Sequence, residues 1–402
     1  MKSRIPDVSD PATFANGFPH ESFRRLRRES PVHWQQRDNE GNRGFWIVSR
    51  YEDVRWVSKN PRLFSSAGSI TIRDPQPQQM GGGRMMLMMD PPDHARFRKL
   101  VSAGFAPRRI EALEPHIRAI VDAVLDKVAQ QGECDFVTDV AAELPLRVIA
   151  EFLGVPQEDR HKLFDWSNRL IGFEDPEFVR TNADGVHAAI EMYGYANQLA
   201  EQRLREPQDD IVTVLLSAEV DGERLSTPDF NAFFLLLAVA GNETTRNLIA
   251  HGMRLLIEQR DARERLLADR SLLPSAIEEM LRFSPPVMYF RRTATQDTEI
   301  RGVPIAKGDK VTVWYPSANR DQEVFENPDV FDVARSPNEH LAFGIGEHFC
   351  LGFHLARLEI RVMFEQILER LPDIELAGAV RGLHSHFING VKSMPVRFTP
   401  ER

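Results

Sequence analysis

The apolar residues of this 402-residue chain recur mostly at helical spacing. Four segments place them three and four positions apart, which is the repeat of one helix face: 108–131, 143–154, 188–205 and 355–371. Strand-like patterns are confined to "PVHWQQ" and "GFWIVSR" near the N-terminus and to "TEIRGVPIAKGDKVTVWY" much later. The pattern therefore predicts a mainly α fold with minor β structure.

One helix should be buried more deeply than the others. Ser226 or Thr227 can cap its start, Pro228 suits its first turn, and the apolar pattern continues to residue 259. At about 1.5 Å per residue it would be roughly 45 Å long. Its apolar run, Ala232 to Ala240, is too short to cross a bilayer.

Composition narrows the class of protein. The formal charge of −9, from 59 acidic and 50 basic residues, argues against general nucleic-acid binding. The N-terminus has no apolar core after its basic residues, so we expect neither a signal peptide nor membrane insertion, and a cytoplasmic protein. With only two cysteines, the chain cannot form a disulfide framework or a multi-cysteine metal site, although one thiolate ligand remains possible.

The two cysteines stand in different surroundings. Cys134, in "GECDFV", is typical of an inert thiol. Cys350 lies in "FGIGEHFCLG", where glycines permit a tight turn and the close approach of a flat group, and helix N–H groups can stabilise a thiolate. The alternative for Cys350 is a buried inert cysteine beside an unrelated glycine turn.

The spacing Phe-x-x-Gly-x-x-x-Cys-x-Gly resembles that of the cytochrome P450 family, the haem-thiolate monooxygenases. The resemblance implies haem b bound through Cys350 and a triangular helical prism with small β-sheets. It also implies one domain over residues 1–402. The β-rich lobe of that domain would lie near 30–60 and 285–320, and the α-rich lobe at 90–282 and 350–371.

The resemblance also implies haem-binding residues outside the cysteine. "DPPDHARFRKL" and "FRRTATQD" would supply propionate partners, although an exposed helix face is the alternative for the first. Many relatives carry arginine where His348 stands. The implied haem-binding residues are His94, Arg98, Gly241, Arg292, Phe343, Gly344, Gly346, His348, Cys350 and Gly352.

A structural cluster is implied as well. Glu279 and Arg282 share one helical face, a spacing that is often only a surface ion pair. By resemblance they join Arg335 in a buried group behind the cysteine loop.

The segment "AVAGNETTRN" carries the candidate oxygen chemistry. Gly241 and two adjacent threonines are poor helix formers, so we expect local distortion at the helix centre. By resemblance, Thr244 hydrogen-bonds the oxygen being activated and Glu243 relays protons to it. Many relatives have aspartate where Glu243 stands. The polar residues could also simply mark the end of the apolar run.

The predicted substrate pocket is apolar. Met85, Met86, Met88 and Met89 would form either a deformable lid or part of the core. Seven further positions match substrate-facing regions of the family: Leu236, Val239, Ala240, Val287, Met288, Phe387 and Ile388. The segments "AGNETTRN" and "NGVKSMPVRF" are most similar to the bacterial subgroup that acts on steroids, methyl-branched lipids and terpenoids.

The electrons must come from another protein, because no dinucleotide-binding Gly-x-Gly-x-x-Gly or reductase-sized extension is present. The resemblance implies NAD(P)H electrons delivered through a reductase and a ferredoxin to a monomeric enzyme. Arg98, Lys99, Arg108 and Arg109 could form the docking patch or be ordinary surface. Two alternatives to this monooxygenase are a peroxide-driven haem-thiolate peroxygenase and a non-catalytic haem sensor or carrier.

Overall fold

The structure, a computed structural model, describes residues 5–37, 44–74, 83–179, 181, 183–220 and 222–401. Its helices are α1 His20–Glu29, α2 Tyr51–Lys59, α3 Asp93–Ser102, α4 Pro107–Glu111, α5 Glu114–Val128, α6 Glu143–Phe152, α7 Arg160–Ile171, α8 Asp184–Arg205, α9 Ile211–Ser217, α10 Thr227–Glu258, α11 Arg260–Ala268, α12 Leu273–Phe283, α13 Tyr315–Ala318 and α14 Phe353–Arg370. The four predicted helical segments are confirmed, but 108–131 is divided into α4 and α5. Pro115 in the first turn of α5 explains the division, since proline suits a helix start and not its interior.

The strands are short and form small sheets, as predicted. They are β1 Val32–Gln35, β2 Phe45–Val48, β3 Phe64–Ser65, β4 Glu133–Asp135, β5 Glu219–Val220, β6 Glu223–Arg224, β7 Tyr289–Ala294, β8 Thr298–Ile300, β9 Val303–Ile305, β10 Lys310–Trp314, β11 Glu375–Leu376, β12 Arg381–Gly382, β13 Val391–Ser393 and β14 Pro395–Arg397. The largest sheet has the order β1-β2-β10-β7-β3, in which only the β2–β10 pair is parallel. It joins the N-terminal strand pair β1 and β2 to the later strands β10 and β7.

Helix α10 connects the two main hydrophobic clusters. The side chain of Ser226 caps it by accepting a hydrogen bond from the Asp229 N–H, as the sequence predicts. Residues 230–238 pack with α6 to α9, and residues 248–256 pack with α5, α12 and α14. Within the described part of the chain, no helix combines the length and apolarity needed to cross a membrane. The single-domain expectation stays a prediction.

The Glu279, Arg282 and Arg335 cluster forms as the sequence predicted. Arg282 donates to both Glu279 oxygens at 2.7 and 2.8 Å, and both side chains are fully buried. Arg335 reaches the same carboxylate at 3.0 Å, and Asn338 donates to it at 3.0 Å. The cluster therefore fixes the chain just before it reaches the loop of Cys350.

The C-terminal hairpin is tied to the connection between α7 and α8. Asp175 accepts a hydrogen bond from the His384 N–H at 2.9 Å and pairs with Lys392 at 2.9 Å. Glu174 accepts from the His386 N–H at 3.0 Å, and the His386 ring lies 3.0 Å from the Tyr289 hydroxyl. These contacts fix the position of the hairpin residues next to His386.

We expect Arg282→Ala to destabilise the protein by about 3–5 kcal/mol, because removing one partner leaves the Glu279 carboxylate buried without its main counter-ion. Urea unfolding of the haem-loaded protein measures this loss. The control is Arg397→Ala, which removes an exposed ion pair with Glu375 and should cost less than about 1 kcal/mol. Equal small losses in the two variants would contradict the structural role of the cluster.

Candidate active site

The loop of Cys350 needs glycine at two of its three glycine positions. Gly344 and Gly346 have φ of +70° and +80°, a region that side chains rarely adopt. A Cβ on Gly346 would also lie 2.9 Å from the Ser58 carbonyl oxygen in α2. At Gly352, φ is −87° and an added Cβ would meet only an ordinary contact with Phe105. The protein backbone alone therefore does not explain why Gly352 is glycine.

Cys350 lies just before the start of α14. The backbone N–H of Cys350 donates a hydrogen bond to the Phe343 carbonyl at 2.9 Å, which closes the loop. Burial raises the pKa of the thiol, whereas the Gly352 N–H, Arg98 and Arg357 lower it. Burial raises the pKa of Cys134 to about 12, and this cysteine lies on β4. Burial outweighs these contributions and leaves the pKa of Cys350 raised, but two cations and an N–H group oppose the rise. At Cys134 the nearby Asp139 and Asp135 add to the rise instead.

The four predicted propionate partners converge beside this loop. The rings of His94 in α3 and His348 in the loop have centroids 4.2 Å apart. Arg98 lies close enough to Cys350 for the two groups to interact electrostatically. The charge of Arg292 on β7 lowers the pKa of both histidines. Burial, followed by the Arg292 charge, lowers the pKa of His348 to about 3. Burial and the Arg98 charge lower the pKa of His94 too, so both rings are neutral near pH 7.

Two of these groups are buried without adequate protein partners. Neither ring nitrogen of His94 has a hydrogen-bond partner among the described residues, and the Glu347 carboxylate is 3.9 Å from Nδ1. Arg292 is 4% exposed, donates to the Arg291 carbonyl, and forms no ion pair within the described ranges. A buried cation without a counter-ion costs several kcal/mol. These residues therefore fit a bound anionic group such as the two propionates of haem.

The second group of predicted site residues lies in the middle of α10. Residues 231–238 are all buried, but Ala240 is exposed and Thr244, one turn later, is half-buried. The Thr244 hydroxyl donates to the Ala240 carbonyl at 2.8 Å. Two residues four positions apart share a helix face. The deeply buried helix thus presents one accessible face that carries a hydroxyl group.

Glu243 points to the other side of α10 and is 1% exposed. Its Oε2 contacts Arg246, which in turn donates to Oδ1 of Asn168 in α7 at 3.1 Å. Burial raises the pKa of Glu243 and Arg246 lowers it, with burial dominant. A carboxyl group with a raised pKa keeps its proton to a higher pH, which suits a group that passes protons on.

Sequence reasoning missed Arg246 and Asn168. The three-residue spacing of Glu243 and Arg246 within a helix could have indicated their ion pair. No local signal could have indicated Asn168, which lies 78 residues from Arg246 in the sequence.

The structure corrects one expectation about the centre of α10. The helix is continuous from Thr227 to Glu258 and shows no distortion at Gly241. The Thr244 hydroxyl bonds to a carbonyl within the helix, which is compatible with an unbroken turn. A Cβ on Gly241 would lie 2.8 Å from Ile149 Cδ1 of α6. Close packing against α6 therefore favours glycine here, since a larger residue would displace the Ile149 side chain.

The predicted substrate residues on α10 lie near the methionines. Leu236 and Met86 belong to one buried cluster, and Met85 and Val239 pack against its edge. Met88 is half-buried and Met89 is buried in the same cluster. Met86 and Met89 therefore belong to the core, while Met85 and Met88 remain partly accessible. Residues 75–82, just before this segment, lie outside the described part of the chain.

Met288 lies apart from the predicted substrate residues of α10, in a cluster against which Phe387 also packs. It packs with Phe14, Phe23 and Trp314 in a separate cluster and, with Ile388, borders a cleft of about 150 Å³ near residues 14–17. Neighbouring residues of an extended chain face opposite ways, and Val287 is accordingly half-buried beside the buried Met288. The substrate role of both residues stays a prediction. Phe387 is half-buried next to Ile388, which bridges to Val287.

Comparison with known proteins agrees with this geometry. The family model described as Cytochrome P450 matches residues 14–372. A steroid C26-monooxygenase of Rhodococcus jostii is 43% identical over 98% of this chain and 84% of its own length. A methyl-branched lipid omega-hydroxylase of Mycobacterium bovis is 40% identical over 94% and 90% of the two chains.

A solved structure supports the same assignment. The Mycobacterium marinum cytochrome P450 in complex with pseudoionone has a TM-score of 0.92 to this chain at 36% identity, with 99% of each chain covered. The chain therefore belongs to the cytochrome P450 family, whose members are monooxygenases that bind haem and use O₂.

Proposed function

We propose that this P450 hydroxylates a steroid, a methyl-branched lipid or a terpenoid with electrons from a separate ferredoxin and its reductase. The observation that carries the proposal is the set of buried polar groups beside the Cys350 loop. The ring nitrogens of His94 have no hydrogen-bond partner among the described residues, and the buried Arg292 forms no ion pair there. The accessible face of α10 adds the Thr244 hydroxyl, and Glu243 follows as a buried carboxyl group on the other side of that helix.

The residues that would hold haem have separate tasks. Cys350 would ligate the iron, and His94, Arg98, Arg292 and His348 would bind the propionates. When bound, a thiolate-ligated haem supplies the activation of O₂ and the insertion of one oxygen atom into a C–H bond. Hydrogen-bond donation and charge at the propionates would fix the orientation of the group in the site.

Thr244 and Glu243 would supply protons. The Thr244 Oγ1 lies on the accessible face of α10 and can redirect its proton from the Ala240 carbonyl towards a reacting oxygen. The Glu243 carboxyl is buried on the other side of the helix and would bring protons from the protein interior. Retention of both groups favours O₂ over peroxide as the oxidant.

The substrate class rests on the apolar lining and on the relatives. Leu236, Val239 and Met85 would line the substrate chamber proposed here and give it an aliphatic wall with an adaptable thioether component. The two relatives above are named for a steroid and a methyl-branched lipid, and the solved structure holds the terpenoid pseudoionone. All three ligand types are large and mostly apolar.

The electron donor would dock near α3 and α4. Lys99 and Arg108 are exposed there, Arg98 is half-buried, and Arg109 pairs with Asp209 at 2.7 Å. The patch therefore offers fewer available charges than the four predicted. An acidic ferredoxin would complement it because charge complementarity speeds association.

Cys350→Ser should abolish the absorption typical of thiolate-ligated haem in reduced, carbon monoxide-treated protein, because serine offers no thiolate. Cys134→Ser is the matched control and should keep the wild-type spectrum, since that thiol lies on β4. A Cys350→Ser protein with the wild-type spectrum would overturn the proposed ligand.

A panel of steroids, methyl-branched lipids and terpenoids should include ligands that shift the haem Soret band, because an apolar ligand displaces water from the iron. Val239→Phe should weaken the binding of such a ligand about tenfold or more by crowding the chamber, equivalent to about 1.4 kcal/mol. Met288→Leu should leave it unchanged, because Met288 packs in another cluster. A Soret response to polar ligands alone would contradict the proposed substrate class.

Thr244→Ala should lower the product formed per NAD(P)H. A positioned proton-transfer group typically raises the rate of the step it serves by about 10²–10⁴-fold, so its loss leaves more of the reductant unproductive. Thr245→Ala is the control, since Thr245 is buried. Wild-type turnover with ferredoxin, its reductase and O₂ should exceed turnover with hydrogen peroxide. Faster peroxide turnover would favour the peroxygenase, and no turnover with either oxidant across the panel would favour the sensor or carrier.

A further inference from the structure

The carboxyl group of Glu243 is held by an arginine of its own helix. Arg246 Nη2 contacts Glu243 Oε2, and the two side chains are 6% and 1% exposed. Nη1 of Arg246 donates to Asn168 Oδ1 in α7 at 3.1 Å, and the guanidinium lies 5.7 Å from the centroid of the Phe164 ring. Arg246 therefore connects the carboxyl group to α7.

The second oxygen of this carboxyl group is left free. Glu243 Oε1 is buried and has no hydrogen-bond partner among the described residues. The same is true of both amide atoms of Asn242 and of the Ser167 hydroxyl. Buried polar atoms without protein partners are normally satisfied by ordered water.

Helical spacing places these polar groups at one interface. Asn242 and Arg246 are four positions apart on α10, and Ser167 lies three positions after Phe164 on α7. Since Arg246 contacts both Phe164 and Asn168, the α7 and α10 faces meet there. Water between these faces would connect Glu243 Oε1 to neutral hydrogen-bonding groups.

One charged side chain, Arg246, accounts for the electrostatic effect on Glu243. Helix α7 faces the pair with the neutral Asn168. Burial raises the pKa of Glu243, and the arginine opposes that rise. A carboxyl group without this opposition would hold its proton more tightly and release it less readily.

We propose that Arg246 is a positioning residue of the proton relay. By holding Oε2 of Glu243, it leaves Oε1 to take protons from water at the α7–α10 interface and to pass them towards Thr244. Asn168 fixes Arg246 from the side of α7. The inference rests on the role of Glu243 given under the proposed function.

The test compares Arg246→Met with Arg254→Met in the haem-loaded enzyme. Arg254 is a matched control on the same helix, where it forms an exposed ion pair with Glu258 at 2.7 Å. Both variants should keep the carbon monoxide spectrum and the substrate-induced Soret shift. Arg246→Met should lose about tenfold or more of the product formed per NAD(P)H and show a larger solvent deuterium isotope effect. Arg246→Lys should recover part of the loss, because it restores the charge.

A second readout does not depend on turnover. The infrared spectrum of the substrate-free protein should contain a carbonyl band of protonated Glu243. The difference between this spectrum and that of Glu243→Gln identifies the band, because the variant lacks the carboxyl group. The band should grow at neutral pH in Arg246→Met, where the opposing charge is gone, and should stay unchanged in Arg254→Met. Asn168→Ala should change the band in the same direction to a smaller extent.

The outcomes separate the positioning role from the relay itself. Unchanged product yield, isotope effect and infrared band in Arg246→Met would overturn the inference, as would a loss of yield with neither of the other two changes. If Arg246→Met fails to bind haem, Arg246→Lys and Asn168→Ala decide by the same criteria. If Glu243→Gln itself keeps the wild-type yield and isotope effect, the proposed role of Glu243 fails, and the inference fails with it.

Discussion

The charge on a buried sulfur is the constraint on which the rest of the site depends. A thiolate binds a metal, but burial favours the neutral thiol of Cys350. The opposing contributions come from the Gly352 N–H at the start of α14, from Arg98 on α3 and from Arg357 within α14. The sulfur can therefore stay charged only where these elements meet.

Two consecutive acidic residues of helix α12, Glu278 and Glu279, bind the segments before and after the cysteine loop. Glu278 binds Arg357 at 2.6 and 2.7 Å and lies 3.1 Å from His340. Burial raises the pKa of Glu278, but these hydrogen bonds outweigh that effect and lower the pKa to about 2. Glu279 binds Arg282 and the chain that leads into the cysteine loop. The network around α12 thus fixes the loop from its entrance and from the helix that follows it.

Much of this arrangement could be predicted from the sequence because the signals are local. The Ser226 cap, the period of α10 and the glycines with positive φ follow from spacing and residue type alone. The family resemblance also pointed to His94 and Arg292. Only the structure reveals that the His94 ring nitrogens have no partner and that Arg292 has no ion pair among the described residues, because this depends on elements far apart in the chain.

The expectation of a distorted helix failed for the same reason, because the packing partner of Gly241 is distant in the sequence. Gly241 suggested a weak point in the helix, whereas Ile149 of α6 occupies the space that a side chain there would need. Met288 is one residue from Val287, and a pattern of apolar residues does not tell which of the two faces the chamber. Sequence reasoning identified the segments of the site, but the partner on each face had to come from tertiary packing.

The geometry of α10 also explains why proton delivery needs more than two residues. A helix turns by about 100° per residue, so Glu243 and Thr244, although adjacent, cannot both face the chamber. Thr244 shares the accessible face with Ala240, and Glu243 shares the α7 side with Arg246. The acid is therefore shielded from the apolar substrate and open to polar groups behind the helix. An ion pair on that side can orient the carboxyl group without placing a charge against an oily ligand.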